Sequence, residues 1–127
     1  MARIPRIPRI SHSEWLVMKV LWERSPRTAN EVVDELTSET KWAPKTVKTL
    51  ITRLVGKKAV SYKKNGREYL YSPAVDEAAC VRAENKSFLK RVYGGALMPM
   101  IAHMIEEEAL TDDEVAQLKR ILEERRG

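Results

Sequence analysis

Cysteine is almost absent, with Cys80 alone in 127 residues. A lone thiol makes no internal disulfide, so the fold is expected to hold by packing, as suits a reducing cytoplasm. Cys80 itself reads as a small apolar core residue. No apolar run approaches the roughly 18 residues of a membrane span. The opening Met1-Ala2-Arg3-Ile4-Pro5 is basic without an apolar block after it, so it does not read as a signal peptide. Histidine is scarce: His12 and His103 are far apart. His103 has Glu106 and Glu107 three and four residues on, where helix side chains meet, but catalytic zinc sites draw on more imidazole or thiolate than this. Neither a phosphate-cradling glycine loop nor a nucleophile motif is present. The expectation is a protein with no catalytic residues, no metal site and no cofactor.

The most telling absence is of carboxylates. From Lys41 to Arg67 there are nine basic side chains and not one Asp or Glu. Residues 1–72 hold 15 Lys and Arg against 7 acids, a balance of +8, while residues 73–127 hold 8 against 11. An ordinary soluble surface mixes its signs, so the basic block reads as a footprint for a polyanion.

Local pattern gives that block a shape. Arg3-Ile4-Pro5 repeats as Arg6-Ile7-Pro8, and prolines three apart forbid a regular helix; residues 1–10 are expected to form a flexible basic arm. Ser11 and Glu14 form a capping box ahead of Trp15, Met18, Leu21 and Trp22, which predicts a helix over about 13–24. Thr28 and Glu31 repeat the device before Val32, Val33 and Leu36. Pro44 suits the first turn of a third helix, expected over about 44–57. There Val47, Leu50, Ile51 and Leu54 fall at i, i+3, i+4 and i+7, a buried stripe. Its other faces carry Lys45, Thr46, Lys48, Thr49, Thr52 and Arg53. Cations reach phosphates and guanine edges, and threonine contacts phosphates or a thymine methyl. Val60–Lys64 and Glu68–Ser72 flank Asn65-Gly66-Arg67, a strong hairpin signal, with positive φ expected at both Asn65 and Gly66. Three helices and a basic-tipped hairpin make a winged helix-turn-helix, with Lys63, Lys64 and Arg67 on the wing.

Pro73 marks a change of composition. Val75–Tyr93 reads as a helix, stopped at Gly94-Gly95. Leu97, Met100, Ile101, Met104 and Ile105 make another helical stripe, and Thr111 with Glu114 caps a last helix with Val115, Leu118, Ile121 and Leu122 on its inner face. A second copy of the chain is the economical cover for these stripes. The expected class is therefore mainly α with a small β-hairpin wing: residues 1–73 a winged-helix DNA-binding domain, residues 74–127 a helical dimerisation domain. Dimerisation is assigned to Leu97, Met100, Ile101, Met104, Ile105, Val115, Leu118 and Leu122.

Trp42-Ala43-Pro44-Lys45-Thr46-Val47-Lys48-Thr49-Leu50-Ile51-Thr52-Arg53-Leu54 resembles the recognition helix of the penicillinase-repressor (BlaI/MecI/CopY) family. Glu14-Trp15-Leu16-Val17-Met18, Thr28-Ala29-Asn30-Glu31-Val32 and Val92-Tyr93-Gly94-Gly95 match as well, so the resemblance runs from Ser11 to about Leu122. It implies a cytoplasmic, homodimeric repressor of resistance genes such as a β-lactamase system. The implied target is an inverted-repeat double-stranded DNA operator, often with TACA and TGTA half-sites. It also implies a membrane sensor metalloprotease that relieves repression by provoking cleavage in the tail. The family's base- and phosphate-contacting positions fall on Lys45, Thr46, Lys48, Thr49 and Arg53. Lys48 stands where Arg is frequent and lacks the planar fork that grips guanine. The family's cleavage junction, commonly Asn-Phe, falls on His103-Met104. Paired Cys-x-Cys motifs of copper-responsive members are missing from the tail.

Two other readings compete. The Met-rich stripe of Leu97, Met98, Met100 and Met104 would suit a ligand pocket, making a small-molecule-responsive winged-helix regulator of the multiple-antibiotic-resistance class. A winged helix used as a protein-interaction module fits less well, because protein interfaces are depleted in lysine.

Overall fold

The computed structural model describes residues 7–126. The chain is mainly helical with one two-stranded hairpin, in the order α1 (His12–Glu23), α2 (Ala29–Glu39), α3 (Pro44–Gly56), β1 (Val60–Asn65), β2 (Glu68–Pro73), α4 (Glu77–Tyr93), α5 (Leu97–Glu107) and α6 (Asp112–Arg125). It divides into two compact units, Met1–Ala83 and Glu84–Gly127, with the boundary inside α4. No described helix is long and apolar enough to cross a membrane.

In the first unit, helix starts follow the caps. Ser11 Oγ accepts from Glu14 N at 3.2 Å while Ser11 N donates to Glu14 Oε1 at 2.8 Å, which opens α1. Thr28 and Glu31 reciprocate in the same way at α2. Pro44 begins α3, its missing amide hydrogen removing one of the donors a helix start leaves unpaired; Ala43 makes no side-chain cap, and Thr46 N donates to Ala43 O at 3.0 Å. α3 ends on Lys58 at φ 66°. Ala59 N donates to Leu54 O at 2.9 Å and Lys58 N to Val55 O at 3.0 Å, the paired bonds of a Schellman stop.

The core lies among α1, α2 and α3. Val17, Met18, Leu21, Val32, Leu36, Val47, Leu50, Ile51 and Leu54 are buried there, with Ala59, Val60 and Cys80. Burying a side chain of this kind contributes about 1.5–3 kcal/mol, so the α3 stripe alone holds that helix firmly against α1 and α2. Burial pushes the Cys80 thiol above its usual pKa, with Asp76 and Glu77 adding to the effect, which keeps it protonated and inert. Of the expected arm, Arg3, Ile4, Pro5 and Arg6 lie outside the described residues. Ile10, however, is buried, and Ile7 packs against the same core.

β1 and β2 pair antiparallel, with Tyr62 opposite Tyr71, Lys64 opposite Tyr69 and Asn65 opposite Glu68. The turn is therefore Gly66-Arg67, one residue later than the Asn-Gly signal suggested. Gly66 has φ 66°, and Asn65 is not among the residues with positive φ. Glycine at the first central position is what this kind of two-residue turn requires. Arg27 adds a rung beside β2, exchanging two backbone bonds with Tyr71 at 3.0 and 2.8 Å. Trp22 Nε1 donates to Val75 O at 3.0 Å and ties α1 to the chain leaving the wing.

In the second unit, Gly94 and Gly95 both take positive φ and close α4, Gly95 N donating to Leu89 O at 3.1 Å. Thr111 and Glu114 form a third capping box at the start of α6. Neither α5 nor α6 has a buried residue.

Candidate nucleic-acid interface

The periodicity that buries Val47, Leu50, Ile51 and Leu54 turns the opposite side of α3 to solvent. Lys45, Thr46, Lys48, Thr49, Thr52 and Arg53 are all exposed. All of these but Thr46 line a shallow concavity of about 510 Å³. Thr49 Oγ1 donates to Lys45 O at 2.9 Å and Thr52 Oγ1 to Lys48 O at 3.0 Å. Their hydroxyl protons are thus used within the helix, and their methyl groups are left for outside contacts.

The electrostatics of this face are one-sided. Among the described residues, ion pairs join Lys19 to Glu77, Arg24 to Glu31, Arg27 to Glu35 and Lys57 to Glu14. None involves Lys45, Lys48, Arg53, Lys63, Lys64 or Arg67. Unpaired cations gathered on one surface raise the local potential and attract a polyanion.

The wing sits beside this face. A second concavity, of about 200 Å³, is lined by Thr28, Ala29, Asn30, Lys48, Glu68, Tyr69 and Tyr71. Lys48 borders both hollows, so α3, the start of α2 and the wing share one surface. Lys64 lies on the same wing face as Tyr69, opposite it in register, whereas Lys63 lies on the other face opposite Leu70. Arg67 stands in the turn.

One cation of the basic block behaves differently. Lys57, at the end of α3, donates from Nζ to Glu14 Oε1 at 2.5 Å and to Arg9 O at 2.9 Å. Glu14 is only 1% exposed. Burial by itself pushes its carboxyl up, but bonds from Lys57 and Ser11 outweigh this and hold it below the ordinary glutamate value. Sequence pattern marked Glu14 as a cap and Lys57 as one basic residue among nine; their pairing spans 43 positions and has no local signature.

The residues assigned to dimerisation fall on α5 and α6. Leu97, Met104, Ile105 and Leu122 are exposed, as are Met98 and Ile121. Met100, Ile101, Val115 and Leu118 are half-buried. Ile101, Met104, Ile105, Leu110, Leu118 and Ile121 border an open apolar groove of about 290 Å³ between the two helices. His103 lies mid-way along α5, its Nδ1 3.1 Å from Tyr93 Oη. Among the described residues no three His, Cys, Asp or Glu side chains are grouped to hold a metal ion.

Known proteins decide the family. The family model described as "Penicillinase repressor" matches residues 10–124. The chain belongs to the penicillinase-repressor family. A curated relative, the penicillinase repressor of Bacillus licheniformis, is 40% identical over 122 residues, covering 96% of this chain and 95% of its own. The methicillin resistance regulatory protein MecI of Staphylococcus aureus (strain N315) is 34% identical over 113 residues, 89% of this chain and 92% of its own. Among solved structures, the monomeric form of Bacillus licheniformis BlaI in complex with the blaP half-operator is 44% identical. It superposes with a TM-score of 0.52 and covers 57% of this chain and 89% of its own. The BlaI structure thus shares a fold with 57% of this chain, and both the family model and the Bacillus licheniformis relative are named for repression of penicillinase.

Proposed function

We propose that this chain is a sequence-specific transcriptional repressor that binds an inverted-repeat operator on double-stranded DNA as a homodimer and acts in the cytoplasm. The observation that carries the reading is the outer face of α3: exposed cations and threonines without a single carboxylate partner, held rigid by a fully buried stripe behind them. α3 lies in the major groove. Lys45, Lys48 and Arg53 take phosphates or guanine edges, Thr46 takes a phosphate, and the Thr49 and Thr52 methyls meet apolar base edges such as the thymine methyl. Lys64 and Arg67 hold the backbone beside it, while Lys63, on the wing's other face, adds only to the local positive charge. The relatives named for penicillinase and methicillin resistance support control of resistance genes of that kind.

Dimerisation supplies the reader for the second half-site. The apolar faces of α5 and α6 are left in water by a single chain, and a second copy covers them with the same residues. Binding through one reader then raises the effective concentration of the other. The open form of the groove along Met104 favours a docked helix over a small enclosed ligand, so the small-molecule-responsive reading is the weaker one. Release by a membrane sensor metalloprotease at His103-Met104 requires the middle of α5 to unwind, since proteases take extended chain and both residues are helical.

The test is a titration of an inverted-repeat duplex with TACA and TGTA half-sites. Two chains per duplex are expected, with Arg53→Ala weakening binding roughly tenfold, the scale of one lost charged contact. Undiminished binding by Arg53→Ala, together with no preference for the inverted repeat over a scrambled duplex, contradicts the reading.

A further inference from the structure

We propose that Tyr62 and Tyr69, on the wing face that also carries Lys64, take the deoxyriboses of the backbone that the wing lies along, next to the segment read by α3. This rests on the reading that α3 faces duplex DNA.

The register of the hairpin sorts its side chains into two unlike faces. Tyr62, Lys64, Tyr69 and Tyr71 share one, and Ser61, Lys63, Leu70 and Ser72 share the other. On the first face the rings form a ladder. Tyr62 and Tyr69 meet edge to face with centroids 5.0 Å apart, and Tyr62 and Tyr71 lie 6.1 Å apart. The foot of the ladder is fixed, because Tyr71 is half-buried and its backbone is bonded to Arg27. Its top is not covered: Tyr62 is 52% exposed and Tyr69 45%.

Cross-strand aromatic pairs stabilise hairpins, but that role explains only the faces the rings turn to each other. The surroundings point to an occupant for the rest. Lys64 stands opposite Tyr69, and Lys48 borders the hollow that Tyr69 lines. Since Lys48 also borders the basic concavity of α3, the tyrosine face continues the proposed interface without a break. A ring with an apolar body and an O–H donor beside two unpaired ammonium groups matches a sugar-phosphate strand: the sugar offers a C–H face, the phosphate accepts from hydroxyl and ammonium. Glu68 is the single carboxylate on the rim of that hollow, and it opposes the phosphate.

Hydroxyl-radical footprinting of the full chain on the TACA/TGTA inverted-repeat duplex reads this contact directly, because it reports the protection of individual deoxyriboses. Run at saturating protein, Tyr69→Ala and Tyr62→Ala are expected to uncover a discrete set of sugars while the rest of the footprint persists. In anisotropy titrations each variant binds roughly tenfold more weakly, with an unchanged salt slope because no charge is removed. Lys64→Ala in contrast lowers the log–log slope by about 0.9. Tyr69→Phe, which keeps the ring pair, retains the sugar protection and loses part of the affinity, and Glu68→Gln binds more tightly. Footprints identical to wild type at saturation overturn the proposal, even if thermal unfolding shows the Ala variants to be less stable; so does undiminished affinity. A wild-type chain that leaves no footprint overturns the DNA reading itself, which separates that failure from this one.

Discussion

The two compact units meet the demand for burial in different ways. In the first, fifteen apolar residues between Ile10 and Cys80 are buried, and three helices and a hairpin cover one another. In the second, α5 and α6 have stripes as regular as that of α3 but no buried residue at all, and Met98, Ile121 and Leu122 are each more than half exposed. Periodicity therefore specifies which side of a helix is apolar, not whether the same chain covers it. The first unit has a core of its own; the second leaves apolar faces in water, which the proposed second copy would cover.

The largest effect should come from removing that surface. A chain ended after Gly95 is expected to keep its winged helix, seen as an unchanged unfolding transition of the first unit. It should lose about a hundredfold or more in affinity for an inverted repeat, the range that joining two binding modules supplies. Equal affinity would mean that the tail does not couple two readers. A smaller perturbation is Ile121→Glu, which sets a charge on the apolar face. Sedimentation should shift from two chains to one at micromolar concentration, because burying an unpaired charge weakens association by roughly a hundredfold. A dimer of unchanged strength would place the interface elsewhere.

The comparison sharpens further inside the first unit, where Lys57→Met strips Glu14 of its cation. The expected loss is about 1–2 kcal/mol of stability, small for a buried carboxylate because Lys57 is partly in water. The pH dependence has a definite sign. Glu14 is held below its ordinary pKa, so the pair stabilises fully above the ordinary glutamate range and its contribution fades as pH falls through the lowered value. Thermal melts of wild type and variant should converge toward acid pH; a constant gap at all pH values would show that the pairing does not matter.

Much of this was legible in the order of residues. All three capping boxes, the α3 stripe, the hairpin and the glycine stop after Tyr93 are local patterns, each contained within a turn or two of chain. The turn itself slipped by one residue because strand pairing carried Asn65 into the ladder opposite Glu68, and pairing is a property of two strands together. Non-local facts were hidden for the same reason. That Glu14 is buried, that Ile10 belongs to the core, and that Arg27 lies against Tyr71 all depend on contacts between distant segments. The tyrosine ladder stood half in view: Tyr69 and Tyr71 alternate along β2, but only the register brings Tyr62 beside them.

The central claim is that the carboxylate-free face of α3 neutralises phosphates. Its most direct test compares the salt dependence of operator binding in two triple variants, Lys45→Ala/Lys48→Ala/Arg53→Ala and Lys86→Ala/Lys90→Ala/Lys119→Ala, one from each unit. At about 0.9 of log–log slope per phosphate contact, the first should flatten the slope by roughly 2.7 and the second should leave it unchanged. A slope that falls with the second triple and not the first would contradict the account.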